Sequence, residues 1–502
     1  MRELSPAELV ATGDRFGIDV DDREAEGLTE QVNDMLADLE PLETDPPATG
    51  GPSPSGHAPG ERSWHDPDSN PNNALSVACH VPPIDGADDL LGGLEVGLKD
   101  IIPVAGVPMD CGSAVMRGYV PARDALVVDR LRSAGATITA KTNLDEFAGS
   151  ARGTTGAGPP ITNPHDGTRT AGGSSGGSAA AVKTGAVDAA LGTDTGGSIR
   201  IPASFCGIVG LKPTYGLVPI AGIVENTYTQ DHVGPMTTDV ATAARVLDAL
   251  AGPDEADPAS LQAAGREDYR RGDYTGAVTD PPAPESLRIG LLEEGIGEGV
   301  SDRVVDRTET AADRLEAAGA EVLTVSVDGY HRALAIKNAL SFVELATHWR
   351  DGAVPYRRGG VDERYQAAFA RHTQAASGEL DDFYKCKLLA GARIVEAHDG
   401  RPYVRAQAAR EALRESFEAA LDGVDALLSP TAPDVAPPIE SVGEWEYDFA
   451  RNTRPANVTR LPAITLPSRT AEGLPIGLQL IGEAFRDDEL LATAATLESL
   501  LE

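Results

Sequence analysis

The chain has 502 residues, enough for one large enzyme domain or for about three domains of average size. Its 78 acidic residues outnumber 42 basic ones, and the net charge of −36 argues against direct binding of nucleic acid, which needs a basic surface. No apolar run approaches the ~20 residues of a membrane helix and the start is unlike a signal peptide, so we expect a cytoplasmic protein without membrane contact.

Acidic residues are spread along the whole chain instead of forming one tail. This distribution is typical of a salt-adapted protein of the haloarchaeal kind, in which the charge serves solubility. Four cysteines without CxxC spacing fit a reducing compartment. Lysine is rare, with seven residues at positions 99, 141, 183, 212, 337, 385 and 387. Lys99 stands in an apolar run, so we expect it to be buried.

The first part of the chain predicts a small helical segment and a linker. Residues 1–40 carry apolar positions at helical spacing, which predicts one or two helices packed on a larger body. Residues 41–72 are rich in Pro, Gly, Ser and Asp, which predicts a linker or an irregular surface loop. We therefore expect the catalytic domain over residues 73–502.

Strand and helix patterns alternate through most of that domain and predict an α/β fold. The predicted strands are 136–140, 186–191, 288–292, 321–327, 424–428, 462–467 and 476–481, and the predicted helices are 124–134, 178–184, 302–318 and 487–501. Residues 330–420 are mostly helical in pattern and interrupt the alternation, so we expect them to form a helical cover over the active site.

Two glycine-rich loops present serines at a fixed spacing. Residues 172–178 read GGSSGGS and residues 192–200 read GTDTGGSIR, so Ser174 and Ser198 are 24 residues apart, and Lys99 lies 75 residues before Ser174. A serine nucleophile needs a base within hydrogen-bond reach and donors for the oxyanion. A lysine can be that base if burial lowers its pKa from about 10.4 toward neutrality.

The nine histidines offer no comparable base. His165 lies in the turn-rich segment 163–167 and His232 stands just before a Gly-Pro pair, so we expect both to be structural. The residues around Lys99 and the two serines therefore predict a serine hydrolase with a lysine base.

The lysine segment, both loops with their spacings, and the segment GIVGLKPT at 207–214 resemble the amidase signature family of serine hydrolases. The likeness extends from about residue 72 to the end. Segments 106–109, 118–121 and 231–236 are most similar to amidases that act on simple amides, including those working with nitrile hydratases. The resemblance implies a large mixed β-sheet covered by helices on both faces, and hydrolysis of a linear carboxamide to a carboxylate and ammonia.

The resemblance also implies roles for individual residues. Ser198 would be the nucleophile that carries the acyl group, Ser174 a bridging serine in a cis peptide, and Lys99 the base. The oxyanion hole would be formed by the backbone N–H groups of Thr195, Gly196, Gly197 and Ser198.

Supporting roles are implied for five more residues. Ser175 would hydrogen-bond the Lys99–Ser174 relay, Asp194 and Arg200 would form a buried pair that braces the oxyanion loop, and Gly153 and Thr154 would line the substrate pocket. The resemblance implies no metal and no cofactor. It implies a small-molecule amide as the partner and allows a homodimer.

Two other motifs are excluded by the residues that surround them. Residues 172–176 match the G-x-S-x-G elbow of α/β-hydrolases, but the preceding residues 162–171 are polar and turn-rich where that motif needs an apolar strand. Lys183-Thr184 follows a glycine loop as in a P-loop, but Val182 occupies the required glycine position.

One enzymatic alternative stays open, the amidase subunit of a tRNA-dependent amidotransferase of the same family. In such subunits an aspartate before the late LPAI motif helps to hold the substrate glutamine. Ala450 occupies the corresponding position here, although Asp448 is two residues away. A non-enzymatic binding role would need a damaged site, whereas Lys99 and both serines are present.

Overall fold

The computed structural model of the chain describes residues 3–16, 18–21, 23–37, 61–353, 363–444, 447–469 and 473–501. The chain divides into two compact units, Met1–Gly56 and His57–Glu502. The first contains helices α1 (Pro6–Phe16) and α2 (Ala25–Ala37), where the helical spacing predicts them. The Asn33 side chain joins the start of this unit to α2, because it accepts from the Leu4 N–H at 2.8 Å and donates to the Leu4 carbonyl at 3.0 Å.

The last part of the predicted linker contains a strand. Residues 41–60 lie outside the described residues. Within the remainder, strand β1 (Ser63–His65) pairs antiparallel with β2 (Leu75–Val81). The sheet therefore begins about ten residues before the predicted domain boundary at residue 73.

A twelve-stranded mixed sheet forms the centre of the second unit within the described residues. The strands after β2 are β3 (Glu95–Lys99), β4 (Thr137–Thr142), β5 (Thr162–Asn163), β6 (Asp166–Thr170), β7 (Ala189–Asp194), β8 (Val209–Lys212), β9 (His232–Thr237), β10 (Arg288–Leu292), β11 (Glu321–Val325), β12 (Ala426–Pro430), β13 (Ala463–Arg469) and β14 (Pro475–Ile481). Their order across the sheet is β1-β2-β4-β3-β7-β9-β8-β13-β14-β12-β10-β11, and β5 and β6 form a separate hairpin.

The second unit also contains helices, several of which pack against this sheet. They are α3 (Leu126–Ser133), α4 (Gly176–Lys183), α5 (Arg200–Cys206), α6 (Val240–Leu250), α7 (Pro258–Ala264), α8 (Tyr274–Thr279), α9 (Asp302–Ala317), α10 (Ala333–Arg350), α11 (Glu363–Ala376), α12 (Asp382–His398), α13 (Arg401–Leu421), α14 (Arg454–Val458) and α15 (Asp487–Leu501). Each predicted strand and helix overlaps an observed one, and the predicted α/β fold with a large mixed sheet is confirmed. Among the described residues, no helix is long and apolar enough to span a membrane.

The sheet brings the lysine segment next to the second glycine-rich loop. Strands β3 and β7 are parallel neighbours, with Leu98 opposite Leu191. Because parallel strands end at the same edge of a sheet, Lys99 at the end of β3 lies beside Thr193 near the end of β7. All six residues of β7 are buried, so this edge stands in the interior of the second unit.

Candidate active site

Lys99 is fully buried and reaches a serine directly. Its Nζ donates to Ser174 Oγ at 2.7 Å and to Thr193 Oγ1 at 2.8 Å. Burial lowers the pKa of Lys99 to about 7, although the carboxylates of Asp145 and Asp194 oppose this shift. A lysine with this pKa is largely neutral at slightly alkaline pH and can accept a proton. The sequence motifs do not indicate Thr193 as a partner of Lys99.

Asp145 anchors the loop that carries Ser174. The Gly173–Ser174 peptide is cis, as the family resemblance implies. The Asp145 N–H donates to the Ser174 carbonyl at 3.3 Å, and Asp145 Oδ2 accepts from the Gly153 N–H at 2.9 Å. A Cβ on Gly173 would lie 1.9 Å from Asp145 Oδ2, which explains why this position needs glycine.

Ser198 lies just before α5 and is 8% exposed, so its hydroxyl is reachable from the cavity that it lines. The Ser175 N–H donates to the Ser198 carbonyl at 3.1 Å, and Ser175 Oγ donates to the Thr193 carbonyl at 3.2 Å. Within the described part of the chain, Ser198 Oγ makes no hydrogen bond to Ser174. In free enzymes such catalytic contacts are often long and tighten when substrate binds.

The predicted oxyanion hole needs one correction. The Gly197 N–H already donates to Asp194 Oδ1 at 2.7 Å, so it is not available to a substrate oxygen. The N–H groups of Thr195, Gly196 and Ser198 donate to no acceptor among the described residues. These three N–H groups are the ones that a developing oxyanion can use.

Asp194 and Arg200 form a buried pair at the base of this loop. Arg200 Nε donates to Asp194 Oδ2 at 3.1 Å, and both side chains are fully buried. Burial by itself raises the pKa of Asp194, but the charge and hydrogen bonds of Arg200 outweigh it and hold that pKa well below its usual value. Arg200 also donates to Asn457 Oδ1 at 2.6 Å and to Gln479 Oε1 at 2.7 Å, so late strands and helices support the loop.

Gly197 adopts a backbone conformation that other residues avoid. Its φ is +132°, and a Cβ there would lie 2.1 Å from Thr453 Oγ1. Thr453 in turn donates to the Gly196 carbonyl at 2.8 Å. The Thr453 side chain thus occupies the space next to Gly197 and holds the oxyanion loop.

A cavity of about 550 Å³ opens in front of Ser198. Residues 149–152, which directly precede Gly153, line this cavity. Gly153 and Thr154, which we expected in the lining, are not part of it. Gly153 lines a second cavity, and a Cβ on it would lie 2.6 Å from the Gly172 carbonyl, so it packs behind the loop of Ser174.

Charged side chains from distant elements line the same cavity. Lys337 comes from α10, Lys387 from α12 and Arg454 from α14, with Arg152 and Asp448 from loops. The predicted helical cover thus contributes to the lining through α10 and α12. The sequence motifs did not indicate that these five residues line a cavity. Asp448 was considered only as a substitute for the missing aspartate.

The two histidines considered from the sequence have structural contacts. His232 is buried, its Nδ1 lies 2.6 Å from the Gln230 carbonyl, and burial lowers its pKa well below the usual value. His165 Nε2 lies 2.9 Å from the Cys206 carbonyl. The described residues contain no group of three or more His, Cys, Asp or Glu side chains that could hold a metal ion.

Comparison with known proteins finds one family profile and several similar chains. The sequence profile of the family described as Amidase matches residues 77–491. A glutamyl-tRNA(Gln) amidotransferase subunit from Halobacterium salinarum is 39% identical over 82% of this chain and 96% of its own length. Among solved structures, the corresponding subunit from Thermotoga maritima is 32% identical with a TM-score of 0.68, covering 81% of this chain and 83% of that one. A peptide amidase of Stenotrophomonas maltophilia is 34% identical with a TM-score of 0.70, covering 82% and 83%.

These relatives correct two expectations. They are not the nitrile-hydratase-associated amidases that segments 106–109, 118–121 and 231–236 suggested. Several carry the name of a tRNA amidotransferase subunit, which contradicts the expected partner set of a small-molecule amide without nucleic acid. Net charge describes the average surface potential and does not decide which reaction a site serves. With a profile match over residues 77–491 and the Lys99–Ser174 contact in place, the chain belongs to the amidase family.

Proposed function

We propose that this chain hydrolyses a primary carboxamide and releases ammonia, as the amide-hydrolysing subunit of an amidotransferase. The observation that carries the proposal is the 2.7 Å hydrogen bond from fully buried Lys99 to Ser174, beside the loop of Ser198. Burial also gives Lys99 a pKa of about 7, which suits a base at physiological pH.

The proposed reaction uses these residues in turn. Neutral Lys99 takes a proton from Ser174 Oγ, which takes one from Ser198 Oγ as that oxygen attacks the amide carbon. The three available N–H groups of the oxyanion loop stabilise the negative oxygen of the tetrahedral intermediate. The protons then return along the same route to the leaving nitrogen, and ammonia departs. Water attacks the acyl-serine with the same base and releases the carboxylic acid.

Glutamine is the first substrate to test. The relatives named as amidotransferase subunits support a role in which ammonia released here is used by a larger tRNA-dependent enzyme. The charged side chains of the cavity, such as Lys387 and Arg454, also favour a polar amide over an apolar one.

An autonomous amidase for linear amides is the second candidate. The cavity volume of about 550 Å³ exceeds what the side chain of glutamine fills, and a peptide amidase is 34% identical to this chain. This observation favours longer amide substrates that need no other protein.

The deciding experiment is ammonia release at high salt from glutamine, acetamide, propionamide and benzamide. We expect Ser198→Ala to abolish turnover and Ser175→Ala only to weaken it, while Ser150→Ala, a cavity-lining control outside the relay, keeps most activity. Glutamine hydrolysis that increases with partner subunits and glutamyl-tRNA supports the amidotransferase role. Efficient turnover of simple amides by the chain alone supports the second candidate, and ammonia release that survives in Ser198→Ala contradicts both.

A further inference from the structure

Basic residues gather in the cavity of a strongly acidic chain. The protein has 78 acidic and 42 basic residues, and only seven of the latter are lysines. Lys337 and Lys387 both line the cavity in front of Ser198, together with Arg152 and Arg454. Asp448 is the one carboxylate among the lining residues that the structure describes. Basic side chains are therefore concentrated in the cavity in front of Ser198.

The carboxylate of Asp448 already has a partner within the protein. Arg454 binds it through two parallel hydrogen bonds, Nη1 to Oδ2 and Nη2 to Oδ1, each 2.5 Å long. Such a bidentate pair satisfies both charges with each other. Lys337, Lys387 and Arg152 consequently remain without a balancing carboxylate among the described residues of the cavity, and no free carboxylate is left there to receive a substrate ammonium group.

An aromatic ring holds two of these cations in place. The Lys387 Nζ lies 4.9 Å and the Arg152 guanidinium 4.6 Å from the centroid of the Phe383 ring. Cations at this distance are attracted to the ring face. Lys387 also donates to the Gly149 carbonyl. Both side chains are thus positioned before any ligand binds.

Lys337 lies next to the oxyanion loop. Its Cε would be 3.4 Å from a Cβ placed on Gly196, and in the described structure its ammonium group has no ion-pair or hydrogen-bond partner. Burial lowers the pKa of Lys337 well below its usual value, and the charges of Lys387 and Arg454 lower it further, while those of Asp448 and Asp231 oppose this shift. An anion bound beside Lys337 would raise this pKa again and favour the ammonium form.

We infer that the acyl group of the substrate carries a carboxylate, which Lys337 and Lys387 bind in this cavity. This inference rests on the proposed amide hydrolysis and names its substrate class, the monoamides of dicarboxylic acids. Glutamine belongs to this class as the 2-amino derivative of glutaramate. Because Asp448 is occupied by Arg454, the extra ammonium group of glutamine finds no built partner, and glutaramate should be at least as good a substrate.

The test compares amides of equal length. Glutaramate and pentanamide differ only in a terminal carboxylate against a methyl group. We expect kcat/KM to be at least about tenfold higher for glutaramate, mainly through KM, because a charge-assisted hydrogen bond exceeds the 1.4 kcal/mol that corresponds to tenfold. Lys337→Met and Lys387→Met should each lower the ratio of the two kcat/KM values by about tenfold. The control variant is Lys385→Met. Lys385 lies on the same helix as Lys387 but pairs with Asp382 outside the cavity, so its loss should leave the ratio unchanged.

A charge-reversal variant excludes misfolding as the cause of a lowered ratio. Lys387→Glu should raise the turnover of 5-aminopentanamide relative to pentanamide, a gain that an unfolded variant cannot produce. Equal kcat/KM values for glutaramate and pentanamide in the parent, or ratios unchanged in both lysine variants, would overturn the inference.

A binding measurement separates this inference from the proposed function. Calorimetry with glutarate, a dicarboxylate that needs no turnover, reports the cationic site directly. If the parent hydrolyses no amide but binds glutarate, and Lys337→Met and Lys387→Met lose that binding while Lys385→Met keeps it, the anion site stands and the proposed hydrolysis fails. If amides are hydrolysed but glutarate does not bind and the ratio stays constant, the hydrolysis stands and the anion site is refuted.

Discussion

Replacing Thr193 by valine tests whether Lys99 is the base of the reaction. The Thr193 hydroxyl accepts a hydrogen bond from Lys99 Nζ at 2.8 Å. An acceptor at this position stabilises the ammonium form of Lys99 more than the neutral amine. Valine has a similar shape but no hydroxyl, so the pKa of Lys99, which burial lowers to about 7, should fall further in Thr193→Val.

The size of the shift follows from the strength of the bond. A hydrogen bond to a charged group contributes about 1.5–3 kcal/mol, and one pKa unit corresponds to about 1.4 kcal/mol. Thr193→Val should therefore lower the pKa of Lys99 by about one to two units. With Lys99 as the base, only its neutral form is active, so kcat/KM should fall about tenfold for each pH unit below this pKa. The acid limb of the pH profile should start near pH 7 in the parent and about one to two units lower in the variant.

The assay is kcat/KM for ammonia release between pH 4.5 and 9 with the best amide substrate. Thr193→Ser keeps the hydroxyl and should keep the limb near pH 7. Asp110, whose pKa burial raises to about 7, titrates in the same range, so Asp110→Asn serves as a control that should leave the limb in place. An acid limb that does not move in Thr193→Val, or that moves to higher pH, would refute Lys99 as the base.

Three further predictions concern the loop and the cavity. Arg200→Met leaves the buried Asp194 without its partner and should lower the free energy of unfolding by about 3–5 kcal/mol, measured by urea denaturation. Gly197→Ala places a Cβ 2.1 Å from Thr453 Oγ1 and should lower kcat by about 10²-fold or more through displacement of the oxyanion loop, measured by steady-state kinetics. Cys386 is the exposed thiol of the cavity lining, so its alkylation by a maleimide should block turnover, and substrate should slow the alkylation.

Matched variants control these three experiments. Arg401 pairs with Asp399 on the surface, so Arg401→Met should change stability little, and a loss as large as that of Arg200→Met would contradict the argument from burial. A Cβ on Gly167 meets no atom within 4 Å, so Gly167→Ala should keep kcat. Cys386→Ser should resist the maleimide, and inactivation of this variant would point to another group.

The residues of the proposed relay could be predicted because each stands in a short, recognisable stretch of sequence. Ser174 and Ser198 stand in glycine-rich loops whose composition is itself a local signal, and Lys99 ends an apolar strand. Strand and helix periodicity likewise depends on neighbouring residues, so the alternating elements of the large mixed sheet were predictable. The assignment of catalytic roles to these residues stays a prediction.

Other parts of the site depend on contacts that local patterns do not contain. The Gly197 N–H is engaged by Asp194, and Gly153 faces a second cavity, because the loop conformations turn them away from the predicted positions. Periodicity says which residues are helical but not which of them face a common cavity.

By itself the sequence determined the family and the sheet with its helices, and it predicted Lys99, Ser174 and Ser198 as the relay, because these signals are short-range and carried by composition and spacing. The tertiary structure alone decided what surrounds Ser198. Lys337 and Lys387 reach the cavity from helices that lie more than 130 residues after Ser198. Such convergence results from long-range packing, which no local pattern of residues encodes.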